Sequence, residues 1–160
     1  QQGEIVAAKA AFENVLAGNA DQTEASFYLS MILLAEHDSK GESILEEVSA
    51  DPNASADIQA FNTTWQEAMQ TKNAQYKNSL LAFALLENNQ PYLALKVIKP
   101  VVEEVPQYRD AHYLLAVSYY QTNQLDKALV SVNNALKIDK GHAASKELKE
   151  TIKKESEESN

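Results

Sequence analysis

Leu80-Leu81-Ala82-Phe83-Ala84-Leu85-Leu86-Glu87-Asn88-Asn89-Gln90-Pro91-Tyr92-Leu93-Ala94-Leu95 has an echo 34 residues downstream, in Leu114-Leu115-Ala116-Val117-Ser118-Tyr119-Tyr120-Gln121-Thr122-Asn123-Gln124-Leu125-Asp126-Lys127-Ala128-Leu129. Leu, Leu, Ala, Asn, Gln, Ala and Leu recur at equivalent places. Apolar character also holds between Leu85 and Tyr119, Ile98 and Val132, and Val101 and Ala135. A fixed period of this order marks a stacked repeat, in which each unit buries one face against the next.

Working outward, apolar residues fall at helical spacing from Tyr76 to Glu87 and from Arg109 to Gln121. Asn88-Asn89-Gln90 and Thr122-Asn123-Gln124 interrupt them with turn-forming residues. Second helices follow over Pro91–Glu104 and Leu125–Ile138, the first opened by a proline whose missing N–H is harmless in the first turn. Pro106 ends one pair and Asp139-Lys140-Gly141 the other, with Gly141 expected as the left-handed residue after the helix. Each unit reads as a helical hairpin.

These residues resemble the tetratricopeptide repeat, as found in bacterial proteins that carry it. Leu115, Ala116 and Tyr119 match the large–small–large pattern of that family's first helix, and Ala128, Val132 and Ala135 its second. Leu81, Ala82, Leu85, Ala94, Ile98, Val101 and Pro106 match in the preceding unit. The resemblance implies an all-α, right-handed solenoid of helical hairpins, about nine helices in all. Small residues let helices approach closely while larger ones fill the gaps.

The N-terminal part departs from the pattern. Gly3-Glu4-Ile5 with Ala8, Phe12 and Val15 resembles a turn and second helix lacking its partner, and Glu24 to Glu36 a first helix with Leu29, Ser30 and Leu33 in the key places. In the following segment, Gly41 to Ser49, acidic residues stand where the family has apolar ones: Glu42 or Ser43 in place of Ala, and Glu46 or Glu47 in place of a large residue. Gly3 and Asn89, equivalent in the repeat, stand 86 residues apart, which is 18 more than two periods of 34. Eighteen residues make one helix and a turn. The stripe Ile58, Phe61, Trp65 and Ala68 or Met69, after Asp51-Pro52-Asn53, predicts an extra helix over Ala54–Thr71 that breaks the repeat phase.

Ala144, Leu148 and Ile152 give a C-terminal capping helix. The expected organisation is one domain: partial and irregular repeats over 1–53, an extra helix within 54–74, repeats over 75–108 and 109–142, a cap over 143–155, and a fraying tail over 156–160. Because Gln1 falls almost inside the first helical pattern, the chain reads as a segment of a longer protein, and a removed leader or anchor is compatible with it.

Composition narrows the function. The 160 residues include 44% hydrophobic side chains, four Gly and four Pro, which favours helices and a single core. A net charge of −9 repels nucleic acid, and the lysines between Lys137 and Lys154 are interleaved with Asp139, Glu147 and Glu150. There is no Cys, hence no disulfide, and no apolar run near the ~20 residues of a membrane span. Cytoplasm and periplasm are both compatible. His37, His112 and His142 lack ligand spacing, and the adjacent acids Glu46-Glu47 and Glu103-Glu104 cannot converge on one point of a helix. No metal, cofactor or catalytic residue is expected, and Trp65 reads as a packing anchor.

The resemblance places partner contacts on exposed positions of the first helices. Those are Tyr76, Ser79, Phe83 and Leu86 in one repeat, Asp110, Tyr113, Val117 and Tyr120 in the next, and Phe27, Met31 and Leu34 in the irregular unit. Phe83, Leu86 and Val117 also suit core packing, whereas Tyr113 and Tyr120 are expected at the surface as aromatic contacts. Ser79, Phe83, Tyr113 and Val117 stand where carboxylate-clamping repeats carry Lys, Arg and Asn, which argues against a chaperone-tail clamp. The expected function is a non-catalytic scaffold that binds a peptide or helix of a protein partner. The alternative is a structural spacer or self-associating module of a larger protein.

Overall fold

A computed structural model describes residues 2–18 and 22–158. Among them are nine α-helices and no strand. The chain divides into two compact units, residues 1–67 and 68–160.

The first unit contains α1 (Gln2–Gly18), α2 (Thr23–Ala35), α3 (Lys40–Ser49) and most of α4 (Ala56–Gln70). Helix α2 is apolar almost all round and buried along its length, as a helix enclosed by neighbours must be. Phe27, Met31 and Leu34, expected at a surface, are therefore interior. Phe27 meets Phe61 of α4 edge-on, with ring centroids 5.4 Å apart. Helix α1 lies on α2 through Ile5, Ala8, Phe12 and Leu16, and Phe12 stacks on Tyr28 at 5.7 Å. The face thus runs to Leu16, and the expected Val15 points outward. Gly3 is within α1 and does not form a turn.

Helix α4 is the extra helix that the 18 surplus residues require. Ile58, Phe61, Trp65 and Ala68 are buried, each large side chain contributing about 1.5–3 kcal/mol over its exposed state. Met69, the other expected member of the stripe, is exposed. The Ser55 hydroxyl accepts from the Ile58 N–H, and the Gln59 amide donates to the Ser49 carbonyl at the end of α3.

The second unit stacks two hairpins, α5 (Ala74–Glu87) with α6 (Pro91–Glu104) and α7 (Arg109–Gln121) with α8 (Leu125–Ile138), and closes with α9 (Ala143–Glu158). Leu81, Ala82, Leu85, Ala94, Ile98 and Val101 are buried in the first hairpin. In the second, Ala116, Ala128 and Val132 form a cluster with Ile152 of α9. Tyr119 carries an ammonium against its ring from each neighbouring second helix, Lys99 at 5.4 Å and Lys127 at 5.5 Å. Pro100 is tolerated inside α6 because it lies on the exposed face, where a freed carbonyl meets water.

Three hairpin turns share one geometry. His37, Asn89 and Asn123 have φ of 59°, 55° and 55°. The N–H of each following residue reaches the carbonyl five residues back: Asp38 to Leu33, Gln90 to Leu85, and Gln124 to Tyr119, at 2.9, 2.8 and 2.9 Å. A second bond joins His37 to Leu34, Asn89 to Leu86, and Asn123 to Tyr120. This is the Schellman closure, which satisfies the last carbonyls of the first helix. Gly141 does not form one, since no glycine has positive φ among the described residues. Asp139 ends α8 and accepts the Gly141 N–H at 2.8 Å, a side-chain turn that needs no left-handed residue.

Candidate partner-binding surface

The first helices of the second unit, α5 and α7, are neighbours, and α9 takes the next place beside α7. Their outward positions follow the 34-residue period. On α5, Leu81, Leu85 and Leu86 are buried, yet Phe83 is 45% exposed and Tyr76 41%. Ser79 is buried, its hydroxyl donating to the Gln75 carbonyl at 2.8 Å, so it offers no surface to a partner. Leu86 is buried too.

On α7, Asp110, Tyr113, Val117 and Tyr120 are half-buried. The ring of Tyr120 packs on the Ala116, Ala128, Val132 and Ile152 cluster, and its hydroxyl donates to Glu155 Oε1 of α9 at 2.5 Å. That bond, with desolvation second, raises the phenol above its ordinary value. Tyr113 meets the His142 ring edge-on at 5.2 Å. Burial raises its phenol, and the charges of Glu147 and Glu87 raise it further. The order of exposure therefore reverses the expectation: the α7 tyrosines are drawn under α9, while Phe83 stands in the open.

Asp110 is bound by Arg109, whose Nε lies 2.8 Å from Oδ1. Arg109 also reaches Asp139 at 3.1 Å, tying the start of α7 to the end of α8. The Asp110 contact, followed by the Asp139 contact, raises the guanidinium. Tyr76 lines an open depression of about 540 Å³ with Asn73, Gln75, Val105, Gln107 and Tyr108. Phe83, Tyr113, Val117 and Tyr120 share the first-helix face, with Tyr76 and Asp110 at its end.

The histidines have structural surroundings. His37 forms a turn, His112 Nε2 donates to the Pro106 carbonyl at 2.9 Å, and His142 Nδ1 lies 2.7 Å from the Ser145 hydroxyl. Sequence reasoning missed Glu87 and Glu147, whose charges act on the Tyr113 phenol. The signal was present. Continued into α9, the 34-residue period pairs Tyr113 with Glu147 and carries Glu87 through Gln121 to Glu155.

Comparison with known proteins fits this geometry. The tetratricopeptide repeat family model matches residues 85–152, from the end of α5 into α9. A crystal structure of MamA aligns with a TM-score of 0.51 at 14% identity, covering 97% of this chain and 80% of that one. MamA 41-end from Desulfovibrio magneticus RS-1 aligns at 0.40 with 19% identity, covering 96% and 82%. The first likeness supports the all-helical hairpin fold. No curated protein matches the sequence.

Proposed function

We propose that the chain is a non-catalytic interaction module whose α5–α7 face holds a segment of a protein partner. The observation that carries this is Phe83, 45% exposed on a helix whose Leu81, Leu85 and Leu86 are packed away. Val117 holds the equivalent place one repeat on, and Tyr113 and Tyr120 complete an apolar strip with polar tips. An aromatic side chain anchors a partner at modest entropic cost, because only two torsions must be fixed. Tyr120 serves first to seat α9 and second as surface, so Phe83 and Tyr113 are the sharper probes.

Selection of a displayed peptide library on the intact chain tests this reading. Selected peptides should lose at least about tenfold in affinity for Phe83→Ala, equivalent to ~1.4 kcal/mol, with unchanged thermal unfolding. Peptides that bind the variant as well as the parent would place the contact elsewhere.

A further inference from the structure

The chain has two methionines and no cysteine, so its sulfur chemistry rests on two thioethers. They occupy opposite surroundings. Met31 is enclosed within α2 with none of its surface exposed, whereas Met69, in the last turn of α4, is 39% exposed. The Lys77 ammonium, in the first turn of α5, donates to the Met69 sulfur at 2.8 Å. Both residues belong to the second unit. A thioether is a weak acceptor, so the ammonium gains little from this contact as it stands. An oxygen on that sulfur would change the balance, because a sulfoxide is polar and a charged donor makes the stronger class of hydrogen bond.

We propose that Met69 is a reversible oxidation site whose sulfoxide is captured by the Lys77 ammonium. Hydrogen peroxide is the oxidant. A sulfur lone pair attacks one peroxide oxygen, the O–O bond breaks as the S–O bond forms, and the second oxygen leaves as hydroxide. The proton of the transferred oxygen passes to that hydroxide, so the products are the sulfoxide and water. Sulfur loses two electrons and the peroxide gains them. A dithiol reverses the step: two thiols become a disulfide and the sulfoxide oxygen departs as water. Oxidation ordinarily loosens a protein by making a packed apolar side chain polar. At Met69 the sign is opposite, since the side chain already meets water and its new oxygen gains a cation. Oxidation therefore tightens the link between the end of α4 and the start of α5.

Hydrogen peroxide treatment of the intact chain, followed by peptide mapping in a mass spectrometer, reads the site. Met69 should oxidise at least about tenfold faster than Met31, and a dithiol-driven methionine sulfoxide reductase should restore it. Thermal unfolding before and after treatment reads the capture. The oxidised parent should melt about 2–4 °C higher than the untreated one. Lys77→Arg keeps the cation and should show the same rise, whereas Lys77→Ala and Met69→Leu should show none. Oxidation of Met31 as fast as Met69 would overturn the site. A parent that does not gain, or a gain that Lys77→Ala reproduces, would overturn the capture.

Discussion

The α2–α3 and α7–α8 hairpins have the same turn and different interiors. Both close with a left-handed residue and the same pair of hydrogen bonds, at His37 and at Asn123. After that closure they diverge. In α8 the buried face is Ala128, Ser131, Val132 and Ala135, and the Ala128 N–H reaches back four residues to Gln124. In α3 the first turn is tighter, with the Gly41 N–H bonded to Asp38 three residues back. The extra winding turns the helix by about one residue position, so Gly41, Leu45 and Val48 face α2. Glu42 and Glu46, standing where the repeat pattern has apolar residues, are rotated off that face. The lesson is that the turn and the register of the second helix are set independently.

Gly41 is the point at which that comparison breaks most easily. A Cβ there would lie 2.8 Å from the Leu34 backbone nitrogen and 2.9 Å from the Ser30 carbonyl oxygen. Those atoms are backbone and cannot step aside. Gly41→Ala should destabilise the protein by about 3 kcal/mol as α3 is forced away from α2. The counterpart Ala128→Gly should cost only about 1 kcal/mol. Urea unfolding measures both, and equal costs would mean that the two hairpins approach alike.

The shared turn gives a smaller effect of one sign at all three sites. Glycine at position 37, 89 or 123 should be neutral or add up to about 1 kcal/mol, whereas valine should remove about 1–2 kcal/mol. Thermal unfolding of the six variants is the measurement. A site indifferent to valine would not be part of the common turn.

The smallest effect concerns the end of α8. The Gly141 N–H first, and Arg109 second, hold the Asp139 carboxyl below its ordinary value of 3.8. A carboxylate depressed in the folded state contributes stability that is fully present above 3.8 and is lost as pH falls through the folded value. Melting temperature should therefore fall more steeply in acid for the parent than for Asp139→Asn. Parallel acid profiles would show that the staple adds nothing.

Much of this was legible along the chain. Pro91–Glu104, Arg109–Gln121 and Leu125–Ile138 form helices at the bounds that their spacing predicts. The stripe Ile58, Phe61, Trp65 is buried as its period requires. Helix α9 continues to Glu158, past the expected Glu155, where Tyr120 supplies a tertiary bond that pattern alone does not reveal. For the candidate surface, periodicity placed Phe83, Tyr113, Val117 and Tyr120 on one face. Their order of exposure was hidden, because it depends on α9 covering α7 and not on α7 itself.

The sequence by itself determined the repeat, its helices and the one helix in excess, because these follow from local periodicity and turn chemistry within a few residues. Only the tertiary structure decided which face of α3 turns inward and which aromatic side chains remain open. Those outcomes depend on how closely two backbones approach and on what residues distant in the chain cover, and no local pattern encodes either.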